Sequence, residues 1–350
     1  MSAGVELIAV RPQHRFDETV LHRYLAARLR GFGGPLSVRQ FEGGQSNPTF
    51  QLDCEGQSYV LRKKPPGKLL PSAHAVDREY RVMRALADTA VPVPRVLHLC
   101  QDDGVIGTAF FVMQKVEGRV LRDPLLRELP PIERRQLYDH FIAVLAALHK
   151  IDFAAVGLAD FGPPGNYYAR QIGRWSKQYL ASKTEEIEAM DRLMAWLPAN
   201  IPACDETAIV HGDFRIENAV VHASEPRIVA VLDWELSTLG HPFADLSYCC
   251  LGYRGDVGSS VGSLQAQSHA ATGVPNEQEF LQRYCRLTGR DSIPGWDFYV
   301  AFSLFRLAAI GQGVYKRGLD GIAASARAAS FGQVCRQRSE LAWKIVTARA

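Results

Sequence analysis

Between Asp17 and Arg30, the residues Val20, Leu21, Tyr24, Leu25 and Leu29 recur at helical spacing. The run stops at Gly31, with Gly33, Gly34 and Pro35 beyond, which predicts an amphipathic helix packed on a sheet. The pattern then switches to short alternating runs. Leu36 to Phe41, Thr49 to Asp53 and Ser58 to Lys63 read as strands, parted by Glu42 to Pro48 and by Glu55-Gly56-Gln57, and Pro65 and Pro66 end the third. Helical spacing returns from Ala75 to Ala87. Strands follow at Arg95 to Cys100 and Ala109 to Met113, with a turn at Asp102-Asp103-Gly104 between them. This order predicts a five-stranded antiparallel sheet with one helix. A short polar segment, Gln114 to Gly118, then leaves the last strand, and nearly everything after it is helical: 131–150, 167–180, 185–197, 242–251, 277–287, 296–315 and 321–346. The exceptions are three short apolar runs, Ala208 to Val210, Ala219 to His222 and Arg227 to Leu232. The predicted class is therefore α+β, with a sheet-bearing lobe over 1–113, a hinge over 114–118 and a mainly helical lobe over 119–350.

Composition narrows the setting. A chain of 350 residues with 47% apolar residues can bury a large core, and a net charge of +3 is too small to point to nucleic acid or to a polybasic membrane contact. Nowhere do eighteen apolar residues run together, and Met1 to Asp17 has no basic region followed by an apolar run and a cleavage site, so neither export nor a membrane span is expected. Seven cysteines without a C-x-x-C pair or zinc spacing fit reduced core thiols and a cytoplasmic protein.

The chemistry concentrates in His211-Gly212-Asp213-Phe214-Arg215-Ile216-Glu217-Asn218 and in Asp233-Trp234-Glu235, which closes the apolar run after it. An acid five residues before an amide, in a stretch that is neither one helix nor one strand, matches the H-x-D-x-x-x-x-N pattern of a kinase catalytic loop. Phosphoryl transfer from ATP needs a carboxylate to orient the acceptor hydroxyl, and an amide and a second carboxylate to hold magnesium. Asp213, Asn218 and Asp233 supply one of each. Three fixed residues recur by chance in roughly one in twenty chains of this length, so the loop gains its weight from context.

That context lies upstream. Gly43, Gly44, Gln45, Ser46 and Asn47 form a small-residue loop whose backbone N–H groups can approach phosphate oxygens, although an ordinary hairpin turn is the simpler account of it taken alone. Arg62 on the third strand and Glu79 on the next helix match the cation and carboxylate with which kinases grip the α- and β-phosphates. Lys63 and Lys64 compete for that part, and strand alternation favours Arg62, which shares a face with Val60.

The motifs stand in kinase order, but their form is not that of protein kinases. His211-Gly212-Asp213 with Leu232-Asp233-Trp234-Glu235 resembles the aminoglycoside phosphotransferase and choline kinase superfamily, from about Val38 to the C-terminal helices. Gly43 to Phe50, Val60 to Gly67 and His241-Pro242-Phe243-Ala244-Asp245-Leu246 most resemble the branch that in animals is fused to acyl-CoA dehydrogenases. The resemblance implies a two-lobed protein-kinase-like fold and an ATP- and Mg2+-dependent small-molecule kinase. It makes Asp213 the catalytic base, Asn218 and Asp233 the magnesium ligands, and Gly44 to Asn47 the loop over the phosphates, with adenine against the backbone of Met113, Gln114 and Val116. Arg215 departs from the His or small residue of many relatives. It is a candidate to stabilise the transferred charge, or else a surface arginine. The same resemblance makes His211 an anchor of the loop, and Asp245 a tie between loop and helix.

The acceptor is expected to be a small anionic molecule, a hydroxyacyl-CoA or hydroxy acid. From Leu251 onwards there are twelve basic residues against seven acidic ones, whereas a polycationic drug needs clustered carboxylates. An aminoglycoside or other small alcohol is the alternative acceptor, and a nucleotide-binding module without turnover the alternative class. A protein kinase is disfavoured: only about ten residues follow Asp233 before the next helical pattern, with no A-P-E segment. ATP against GTP and the oligomeric state stay open.

Overall fold

The structure, a computed structural model, describes residues 6–42, 47–65, 75–123, 125–255, 264, 270–321 and 331–348. The described chain packs as two compact units. The first comprises Met1–Arg122, Ala155–Leu158 and Ile216–Ser237, and the second Asp123–Ala154, Ala159–Arg215 and Thr238–Ala350.

In the first unit all five predicted strands are present: β2 (Leu36–Phe41), β3 (Thr49–Cys54), β4 (Gln57–Lys63), β5 (Val96–Cys100) and β6 (Phe110–Gln114). A two-residue strand, β1 (Leu7–Ile8), adds to the edge, and the antiparallel order is β1-β2-β3-β4-β6-β5. Helix α1 (Glu18–Ala26) starts where Asp17 accepts hydrogen bonds from the N–H groups of Thr19 and Val20. Its Leu21 and Leu25 close one sheet face with Phe50, Leu52, Leu61, Phe110 and Val112. Alternation sends Val60, Arg62 and Phe111 to the opposite face, where Tyr80 of α2 (Val76–Leu86) meets the Phe111 ring edge-on at 6.3 Å. The predicted turn at Asp102-Asp103-Gly104 is instead the start of a one-turn helix, α3 (Asp103–Ile106). Asp102 caps it through the Gly104 N–H, and Gly107 ends it at φ 83°.

The same unit holds a ribbon of β8 (Ala219–Val221) and β9 (Ile228–Val231), in which Ala219 pairs with Val231. Two exchanged bonds between Arg119 and Val221, 2.7 and 2.8 Å long, extend it, and Val231 donates to the Pro92 carbonyl at 2.8 Å.

The second unit is mainly helical: α4 (Pro131–His149), α5 (Tyr167–Ser182), α6 (Glu188–Ala199), α7 (Phe243–Cys249), α8 (Glu277–Thr288), α9 (Trp296–Leu319) and α10 (Phe331–Thr347). The helix expected over 321–346 is described only from Phe331, since 322–330 lie outside the described residues. Helix α9 is long and apolar enough to cross a bilayer, yet 72% of its apolar window is buried inside the unit, where Phe298, Tyr299 and Phe302 surround Tyr168. Strand β10 (Thr238–Gly240), three residues long, also escaped the sequence pattern; it pairs with β7 (Ala208–Val210).

Candidate active site

The predicted residues fall into two constellations, one in each unit. In the first, Arg62 is the centre. Its Nε lies 3.1 Å from Glu79 Oε2, and its Nη2 lies 2.6 Å from Asp233 Oδ1 and 3.5 Å from Glu235 Oε2. Asn47 adds a bond from Nδ2 to Glu79 Oε1 at 2.9 Å. Glu79 is 1% exposed. Burial pushes its carboxyl up to about 7, helped by the charges of Asp233 and Glu235 and opposed by Arg62 and the Asn47 amide. Lys63 points to the other face, 5.5 Å from the Phe16 ring centre.

The β8–β9 ribbon explains how Asn218 and Asp233 come together. Asn218 immediately precedes β8 and Leu232 follows β9, and antiparallel pairing sets them opposite each other, with Leu232 N donating to the Asn218 carbonyl at 2.7 Å. Asp233 is the next residue and turns the chain in the left-handed region at φ 66°. That conformation is tolerable for a short polar side chain. The indole of buried Trp234 fixes the turn by donating to Val231 O at 2.9 Å.

A hard divalent ion such as magnesium takes oxygen donors, and Asn218 and Asp233 offer only oxygen. The surroundings are acidic as well, since the carboxylates of Glu79, Asp233 and Glu235 gather at the Arg62 guanidinium. The residues therefore fit the ion. Glu235 had no assigned part in the sequence pattern, although its place two residues after Asp233 was the available signal.

The second constellation holds Asp213. The loop leaves β7, and Gly212 adopts φ 86°, a turn that only glycine makes without strain. The Asp245 carboxylate, from the first turn of α7, accepts from His211 N at 2.6 Å and from Gly212 N at 2.8 Å. Burial pushes this carboxyl up, but the His149 ring and His211 outweigh it and hold it below its ordinary range. His211 is fully buried, and its Nδ1 accepts from Asp213 N at 3.2 Å. Cys249 Sγ donates to Phe214 O at 3.1 Å, and Arg306 Nη2 donates to Gly212 O at 2.9 Å. Asp213 itself is left partly exposed, with Arg215 Nε 3.2 Å from its Oδ2 and the Tyr248 hydroxyl donating to its Oδ1 at 2.6 Å. Tyr248 was not marked by the sequence, and Arg306 only as one of the basic residues after Leu251. Tyr248 lies one helical turn after Asp245, and that spacing was the only clue.

Of the other predicted nucleotide contacts, Gly43, Gly44 and Ser46 lie outside the described residues. Met113 and Gln114 end β6, where Gln114 N donates to Arg95 O at 2.8 Å, and half-buried Val116 follows.

A sequence profile of the phosphotransferase enzyme family matches residues 37–293. Mouse acyl-CoA dehydrogenase family member 10 is 45% identical over 342 residues, which is 97% of this chain and 32% of that protein. Chicken acyl-CoA dehydrogenase family member 11 is 46% identical over 347 residues, covering 95% and 44% respectively. The chain thus spans less than half the length of these relatives. A crystal structure from Ralstonia eutropha JMP134, provisionally named an aminoglycoside phosphotransferase, superposes with a TM-score of 0.87 at 49% identity, covering 95% of this chain and 99% of that one. Aminoglycoside phosphotransferase APH(4)-Ia, in a ternary complex with AMP-PNP and hygromycin B, shares the fold at 18% identity, with a TM-score of 0.61 over 94% of this chain and 99% of that one.

Proposed function

The chain belongs to the phosphotransferase enzyme family, and from that premise we propose that it moves the γ-phosphoryl group of ATP to a hydroxyl of a small anionic acceptor, a hydroxyacyl-CoA or hydroxy acid. The observation that carries the reading is the ion cluster of Arg62 with Glu79 and Asp233. A buried carboxylate that holds a guanidinium beside a metal-type Asp is what gripping an α,β-phosphate pair requires. In this reading Glu79 orients Arg62 towards the phosphates, with the loop of Gly43, Gly44, Ser46 and Asn47 above them and adenine along Met113, Gln114 and Val116. The proposed lobes are 1–113 and 119–350, joined by 114–118. Asn218 and Asp233 hold magnesium, which neutralises phosphate charge when bound. Asp213 orients the acceptor hydroxyl and takes its proton, and Arg215 stabilises charge on the transferred group.

The acceptor class rests on the second unit. A cleft of about 730 Å³ is lined by Arg254, Arg286 and Arg290 and by Glu277, Asp291 and Asp297, with Trp296 beside them. Arg254 and the Trp296 indole both occupy Glu277, at 3.0 Å each, and Arg290 is forked onto Glu206. Arg286 makes no ion pair among the described residues and suits an anion. All seven cysteines are free thiols, which supports the cytoplasm as the compartment.

The test is a screen of purified protein with Mg-ATP against hydroxyacyl-CoA esters, hydroxy acids and aminoglycosides, reading ADP release. Turnover on an anionic hydroxyl acceptor, lost in Asp213→Ala, is expected. Phosphorylation of kanamycin with none on any anionic acceptor would overturn the acceptor class, and no turnover on any acceptor would favour a non-catalytic module.

A further inference from the structure

Both oxygens of the Asp213 carboxylate are engaged, and by groups of different character. Arg215 sits 3.2 Å from Oδ2 on a side chain that is 33% exposed and carries several free torsions. Oδ1 accepts at 2.6 Å from the phenol of Tyr248, which is buried and has only two side-chain torsions. The backbone under that phenol is fixed as well. Helix α7 is tied to the loop through Asp245, three residues earlier, and to α9 through the Ser247 and Ser303 hydroxyls, 2.7 Å apart. The helix that clamps the loop's N–H groups thus also presents a donor to the loop's acid. Burial and the facing Asp213 charge hold the phenol protonated, so the bond runs one way, from Tyr248 to the carboxylate.

We propose that Tyr248 is a positioning residue for Asp213: its hydroxyl holds Oδ1 and fixes the carboxylate plane, and so sets the direction in which the acid meets the acceptor hydroxyl. The inference rests on the reading of Asp213 as the orienting base. A positioned acid works only if the oxygen that takes the proton points at it, and a carboxylate without a second tether rotates about its terminal torsion. One hydrogen bond to a charged group, felt mainly in the transition state, corresponds to a loss of about ten- to hundredfold on removal.

The experiment uses the full chain and slow hydrolysis of Mg-ATP, with water as acceptor, and repeats the measurement with any acceptor from the screen. Tyr248→Phe removes the hydroxyl and keeps the ring. Expected are a kcat lower by about ten- to hundredfold, an ATP KM within about twofold of the parent and an unchanged Tm. In an Asp213→Asn background the same change is expected to have no further effect, because the carboxylate it serves is gone. A parental kcat in Tyr248→Phe, or a loss of equal size in the Asp213→Asn background with a lower Tm, would overturn the proposal and leave Tyr248 a packing residue. If Asp213→Ala keeps full turnover, it is the reading of Asp213 that fails.

Discussion

Arg62 and Lys63 are neighbours in sequence with opposite fates, and strand register alone separates them. Arg62 faces three carboxylates, whereas Lys63, 4% exposed, lies over Phe16 on the other side of the sheet. Arg62→Ala is expected to raise the ATP KM by about tenfold or more, since a charge-assisted grip on phosphate is lost, and Glu79→Ala by less. Lys63→Ala is expected to lower Tm and leave that KM alone. A KM effect confined to Lys63→Ala would mean that the register is wrong. Asp233→Ala is expected to abolish magnesium-dependent nucleotide binding, checked by calorimetry with and without the ion. His241 offers a test by pH. Burial among Tyr168, Phe243 and Tyr299 lowers its pKa to about 4, and its Nδ1 accepts from Phe243 N at 3.2 Å. Below 6.5 the unfolded chain takes up a proton that the folded chain refuses, so this ring's contribution is present at neutral pH and is lost as pH falls towards 4. The stability deficit of His241→Gln relative to the parent is therefore expected to shrink between pH 7 and 4 in urea titrations.

At the level of elements, periodicity was enough wherever a stretch was long. The five strands and the helices α1, α2, α4, α5 and α9 could be read because each carries several apolar residues at one period. Strand β10 could not, because Thr238-Leu239-Gly240 has one large apolar side chain and exists through a partner some thirty residues earlier. Helix α3 was missed for a related reason: an Asp that caps a helix and an Asp that opens a turn are the same signal over four residues. The proposed metal pair, Asn218 and Asp233, was named from the sequence without its geometry, since the ribbon that aligns Asn218 with Leu232 depends on pairing. Tyr248 gave no signal beyond its spacing from Asp245, because a phenol on a helix reads as core. One junction gives a sharp prediction. Gly273, at φ 77°, lies where an added Cβ would come within 2.0 Å of the Pro131 carbonyl oxygen at the start of α4. Gly273→Ala combines a left-handed backbone with a clash against main chain, and is expected to cost on the order of 3 kcal/mol or more, measured by denaturant unfolding.

The whole molecule is threaded in an order its packing does not follow. Residues 216–237, which carry Asn218, Asp233 and Glu235, belong to the first unit but come after Asp123–Ala154 and Ala159–Arg215, which build the second. A chain emerging from a ribosome presents α2 and β4 long before these partners exist, by on the order of ten seconds at usual rates of synthesis. Through that interval Arg62 has Glu79 for company and lacks Asp233 and Glu235, and β8 and β9 are still missing from beside Arg119 and Pro92. The newborn first unit thus lacks β8, β9 and two of the carboxylates around Arg62 until residue 237 has emerged. Stalled nascent chains ending near residue 160 should be cut readily by protease within the sheet region, and chains long enough to free residue 237 from the exit tunnel should resist.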